Sequence, residues 1–135
     1  MSSLKSIVLV GSNPSRVSPD NSAFHSSTKS RKFIDSIFAN HDYEISYINL
    51  IDYKTPNNRP ISRSEIRSNL DKIKQKFDGI LNKKIIALGK TASDGLTLAE
   101  IKHFALPHPS GLCRFWNDKA ESEGKIREMF EWILN

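Results

Sequence analysis

The sequence predicts an α/β fold, a single-domain three-layer α/β/α sandwich around a four-stranded parallel sheet. Three observations predict it. Four short apolar runs of strand length recur along the chain. Segments with helical periodicity separate them, a pattern that favours parallel pairing with helices on both faces. A length of 135 residues supports one core and is too short for two, so the whole chain, 1–135, is expected to be one domain.

Taken in order, residues 5–10 are an apolar run ending at Gly11, Asn13 and Pro14, which reads as a buried strand feeding a loop. That polar loop continues through residues 15–27, and its length marks it as a functional element more than a connection. Thr28 has the character of a helix cap, and Phe33, Ile34, Ile37 and Phe38 share one face of the helix that follows, to about Asn40. Residues 43–51 form a second strand. Residues 55–60, with Pro56 and Pro60, are expected to be irregular, because each proline restricts the residue before it. Ser62 and Glu65 have capping-box spacing and Ile61 and Ile66 the staple positions; Ile66, Leu70, Ile73 and Phe77 carry one continuous apolar face until Asp78-Gly79. A strand at 84–88, a short helix at 91–96, a strand at 102–106 and a final helix at 118–134, burying Ile126, Met129, Phe130 and Ile133, complete the chain.

Composition bounds the partners. Twenty Lys and Arg against fifteen Asp and Glu give a net charge of +5 and a pI near 9.4, compatible with a polyanion. A single cysteine, Cys113, excludes an internal disulfide, a multi-cysteine zinc site and an all-cysteine iron–sulfur cluster. No metal and no cofactor are therefore expected. No apolar run approaches the roughly 20 residues of a membrane span, and no secretory signal is seen at the start, so the expected address is the cytoplasm or nucleoid.

In a parallel sheet, ligands bind beyond the carboxyl ends of strands. The loops there contain Gly11-Ser12-Asn13-Pro14-Ser15, Asn49-Leu50-Ile51-Asp52, Gly89-Lys90-Thr91-Ala92 and His108-Pro109-Ser110-Gly111-Leu112-Cys113-Arg114. Taken singly, the first and last are ordinary turns. Together, in this order and strand context, they resemble the uracil-DNA glycosylase superfamily from about Ile7 to Trp116, with Ala87-Leu88-Gly89-Lys90 fitting its segment before a helix. The likeness is a mosaic. Gly11-Ser12-Asn13-Pro14 is similar to the mismatch-specific and single-strand-selective enzymes. His108-Pro109-Ser110 is similar to the classical, single-strand-selective and iron–sulfur enzymes, and Gly111-Leu112 with Arg114 is mismatch-like. Residues 49–60, with Pro56, Asn58, Arg59 and Pro60, resemble the iron–sulfur type without its cluster cysteines.

The resemblance implies a monofunctional DNA glycosylase, a hydrolase that flips uracil or a related modified pyrimidine out of DNA, as a monomer. Breaking an N-glycosidic bond leaves an oxocarbenium-like sugar and an anionic base, which calls for a preorganised donor and a positioned water. By the resemblance, His108 is that donor, as a neutral ring facing the pyrimidine O2, and Asn13 orients the water. Phe24 stacks on the flipped base, Asn49 reads its edge through one donor and one acceptor, and Gly11 and Ser12 belong to the same pocket. Leu112 wedges into the vacated stack, while Ser12, Lys90, Ser110, Gly111 and Arg114 meet the DNA backbone. The rival reading from another class is a catalytically silent module that recognises a modified base or a DNA end. A third keeps the enzyme and changes the substrate to another modified pyrimidine.

Overall fold

The computed structural model describes residues 5–14, 20, 23–26, 28–109 and 114–135, excepting the side chains of 58, 114 and 115. The described elements are β1 (Lys5–Gly11), α1 (Lys29–Phe38), β2 (Tyr43–Asn49), α2 (Arg63–Ser68), α3 (Leu70–Phe77), β3 (Lys84–Leu88), α4 (Lys90–Leu98), β4 (Phe104–Leu106) and α5 (Lys119–Leu134), with short 3-10 turns at Pro56–Asn58 and Arg114–Asn117. The four strands form one sheet in the order β2-β1-β3-β4, every pairing parallel. This is the three-layer sandwich expected from the sequence.

Alternation along β1 sorts the layers. Val8 and Val10 enter a cluster with Ile66, Ile73, Phe77 and Leu96, so α2, α3 and α4 cover one face. Ile7 and Leu9 enter a second cluster with Ile34, Phe38, Met129 and Ile133, so α1 and α5 cover the other. All four β1 side chains are at most 1% exposed, each burial contributing about 1.5–3 kcal/mol. A slip of one residue would exchange the two faces, so this strand's register is strongly specified.

Local chemistry sets the boundaries. Thr28 caps α1 by accepting from the Arg31 amide, and Ser62 with Glu65 forms the full capping box expected at α2. The continuous helix expected to Phe77 is instead broken at Asn69 (φ −107°, ψ 10°), whose side-chain Nδ2 donates to the Glu65 carbonyl at 2.8 Å and so competes with the helical ladder. β4 starts at Phe104, two residues later than expected, because the His103 ring turns back onto the Ile101 carbonyl at 2.8 Å. β2 ends at Asn49 instead of 51, although two amides beyond it stay bonded to the β1 loop. One turn of 3-10 helix occupies part of the segment expected to be irregular, with Asn57 at φ 51°. In α5, Met129 and Ile133 are buried as expected, whereas Ile126 and Phe130 are only partly covered.

The strand order reverses between β1 and β3: the chain leaves β1 for β2 on one side and returns to β3 on the other. Such a switch point opens a crevice at the carboxyl ends of the two strands. Gly11 ends β1 there, and Gly89 follows β3.

Candidate active site

Gly11 is the floor of the first half of the site. A Cβ on it would stand 2.8 Å from Asn49 Oδ1, 2.8 Å from Phe24 Cε2 and 3.0 Å from Phe24 Cζ. Only hydrogen fits there. Three residues singled out from the sequence, Gly11, Phe24 and Asn49, therefore meet at one point, because Gly11 pairs directly with Asn49 in the β1–β2 ladder. Backbone bonds from Leu50 to the Gly11 carbonyl (3.0 Å) and from Ile51 to the Ser12 carbonyl (2.9 Å) carry that pairing into the loop.

Asn49 is 7% exposed, and its Nδ2 is buried without a hydrogen-bond partner among the described residues. Leaving such a donor unpaired costs about 1–3 kcal/mol, and an orphan of this kind calls for an explanation. Its main chain, by contrast, is held firmly. Lys76 Nζ donates to the Asn49 carbonyl at 2.7 Å, to the Leu50 carbonyl at 3.3 Å and to Asp52 Oδ1 at 2.5 Å. Ala23, Tyr47, Ile48, Asn49, Asp52 and Lys76 line a cavity of about 300 Å³, at the lower end of the range for ligand pockets.

Phe24 sits at φ 48°, a left-handed conformation that costs a side-chain-bearing residue of order 1 kcal/mol or more and clusters at functional sites. Its ring centroid lies 6.1 Å from that of Tyr47.

Asn13 has both ends of its amide occupied. Ser12 Oγ donates to its Oδ1 at 3.0 Å, and its Nδ2 donates to the Tyr53 carbonyl at 3.1 Å. Because a carbonyl accepts only from the NH2 end, the amide orientation is fixed, and among the described residues Ser12 alone donates to Oδ1, which leaves a second lone pair for a water. Tyr53 is braced in turn: its hydroxyl donates to Glu65 Oε2 at 2.6 Å. Arg59, then Tyr53 and the Ser62 amide, hold the Glu65 carboxyl well below the usual carboxylate range.

The second half lies across the switch point. His108 packs over Gly89, where a Cβ would stand 3.3 Å from the histidine Cβ and 3.4 Å from its Cδ2. With φ at 101°, Gly89 also occupies a conformation that favours glycine. The Gly89 amide donates to the Leu106 carbonyl at 2.7 Å, and Trp116 Nε1 donates to the His108 carbonyl at 2.8 Å. His108 is exposed as a residue, yet the protein crowds the ring enough that desolvation lowers its pKa from the ordinary histidine value. Such a ring is neutral near pH 7 and has an N–H to donate.

A family model described as the uracil DNA glycosylase superfamily matches residues 3–133. The chain belongs to that superfamily. Members of that superfamily are generally hydrolytic DNA N-glycosylases that act on DNA in repair, which suggests DNA glycosylase activity for this chain. A search of the curated proteins finds no match.

Of the remaining site residues expected from the sequence, Lys90 is exposed at the first position of α4, beside Gly89. Ser110, Gly111 and Leu112 lie outside the described residues, as does the side chain of Arg114. Sequence reasoning missed the residues that grip the site from behind: Lys76, Tyr53, Arg31 and Trp116. Only Lys76 leaves a trace, standing three positions after Ile73 at the border of the buried stripe of α3.

Proposed function

We propose that this chain is a monofunctional DNA glycosylase that flips uracil, or a related damaged or modified pyrimidine, into the crevice between β1 and β3. It hydrolyses the N-glycosidic bond and leaves an abasic site, acting as a monomer in the cytoplasm or at the nucleoid. The observation that carries this reading is the orphaned amide of Asn49 beside the Phe24 ring over Gly11. A pyrimidine edge offering an acceptor at O4 and a donor at N3 complements an amide, whereas cytosine offers the opposite pair. Phe24 supplies the stacking face that a flipped base needs.

Chemistry then divides between the two halves. Asn13 holds water toward C1′ through its Oδ1, and no strong base is needed because the developing sugar cation is itself electrophilic. His108, neutral, donates to O2 as negative charge gathers on the departing base. The Lys76 ammonium is committed to three oxygens, which supports water over an amine as the nucleophile. Lys90, Ser110, Gly111 and Arg114 meet the DNA backbone, and Leu112 fills the gap left by the base.

The test is base release from labelled single- and double-stranded oligonucleotides carrying uracil opposite A or G, run beside Asn13→Ala and developed with alkali. Cleavage by the parent and a loss of at least about tenfold in the variant are expected, on the scale of one positioned catalytic group. DNA binding without base release, across uracil and other modified pyrimidines, would replace the enzyme by a silent recognition module.

A further inference from the structure

The base-stacking ring sits on a loop in an unfavourable backbone conformation, so something must hold it. Arg31, on the first turns of α1, makes three ties, one back to that loop, one along α1 and one to β2. Its Nη1 donates to the Phe24 carbonyl at 3.1 Å, and its Nε donates to Asp35 Oδ1 at 3.1 Å. Its guanidinium carbon lies 4.1 Å from the centre of the Tyr47 ring, the same ring that flanks Phe24. Tyr47 closes the circuit through its hydroxyl, 3.5 Å from Asp35 Oδ1. The guanidinium is planar and presents its donors in a fixed fork, so fixing it on Tyr47 and Asp35 also fixes the direction in which it offers a hydrogen to Phe24. The cap of α1 continues the same arrangement: the Thr28 hydroxyl donates to the His25 carbonyl at 2.8 Å and accepts from the Arg31 amide at 3.2 Å.

We infer that Arg31 is a positioning residue for Phe24. It uses the rigid α1–β2 frame to keep the stacking ring over Gly11 before any base arrives. The inference rests on the reading of Phe24 as the base-stacking ring. It assigns Arg31 to preorganisation and not to phosphate contact, although an arginine beside a DNA site invites the latter.

Two readouts separate the possibilities. The first needs no activity: the Gly11 α-protons lie against the Phe24 ring, so their NMR shifts report the ring's place. Phe24→Ala should move those shifts toward random-coil values, and Arg31→Ala should move them most of the way. An unchanged Gly11 signal in Arg31→Ala overturns the inference. The second readout is a double-mutant cycle on kcat/KM for base release. Arg31→Ala is expected to lose roughly 3- to 10-fold alone and less than about 2-fold on top of Phe24→Ala, the non-additivity of residues acting as one unit. A full loss persisting in the Phe24→Ala background overturns it. Arg31→Lys keeps the charge without the fork and should follow the alanine variant in both readouts. Parental activity in that variant with the Gly11 shift lost would mean that charge alone matters, and would also overturn it. If the parent releases no base, the glycosylase reading fails while the Gly11 shift still decides what Arg31 holds.

Discussion

Two histidines stand at opposite ends of the β4 segment, and the protein treats them differently. His103 spends both ring nitrogens, Nδ1 on the Ile101 carbonyl and Nε2 on Ser93 Oγ, each at 2.8 Å. His108 makes no ring hydrogen bond among the described residues and lies over Gly89, the residue that follows β3, with its carbonyl held by Trp116. A fully partnered ring ties α4 to the entry of β4. An unpartnered, desolvated ring at a strand's carboxyl end is available to a ligand. The difference teaches that position in the sheet and hydrogen-bond accounting, more than residue type, set the histidine proposed to act on a base apart from the one that ties the fold.

Exchanging the two by mutation tests this contrast most severely. His108→Ala should slow base release by about 10- to 1000-fold, the scale of one preorganised donor, with little change in melting temperature. His103→Ala should do the reverse. Losing two partly buried hydrogen bonds costs about 1–2 kcal/mol and lowers Tm by roughly 3–10 °C, while activity per folded molecule stays near the parent's. Equal activity losses in the two variants would dissolve the distinction.

The pH profile sharpens it. Desolvation lowers the His108 pKa, so the neutral donor survives acidification further than a free histidine would. The acid limb of base release is expected below pH 6.5, and His103→Ala should leave it in place. Stability follows the same sign. As pH falls from about 6.5 through the lowered pKa, the unfolded chain takes its proton first, and stability is lost in that window. The loss is small because the residue is exposed. A limb at or above 6.5 would mean that the ring is not protected.

The smallest expected effect belongs to Lys90, which stands next to Gly89 and so neighbours His108 without sharing its chemistry. Lys90→Ala should weaken DNA binding a few-fold and reduce the salt slope of binding by about 1. Binding titrations at several salt concentrations measure both, and a change in base preference would instead bring Lys90 into the pocket.

Much of this was legible from the sequence because the informative residues sit at punctuation points. Glycines and prolines after apolar runs located the loops, and the polar setting of Phe24 set it apart from core aromatics. The gripping residues left no such mark. Arg31 reaches a carbonyl seven positions away, Trp116 one eight away, Lys76 one 27 away, while the carbonyl that fixes Asn13 lies 40 positions along. A carbonyl belongs to every residue, so a side chain that seeks one imposes no pattern on the partner's identity. The break at Asn69 and the late start of β4 were hidden for a related reason: each depends on a side chain returning to its own backbone, which apolar periodicity does not register.

The central strand carries one consequence that concerns time. β1 pairs with β2 along one edge and, along the other, places Ile7 to Val10 opposite Lys84 to Ala87. At a synthesis rate of about 5–20 residues per second, roughly 4–15 s separate the making of those two segments. Through that interval the edge of β1 that will receive β3 has its backbone N–H and C=O groups unpaired, and the crevice has only one wall. The emerging chain thus holds Phe24 and Asn49, proposed to stack on and read the base, before it holds His108, so the proposed site is complete only once β3 and β4 are made.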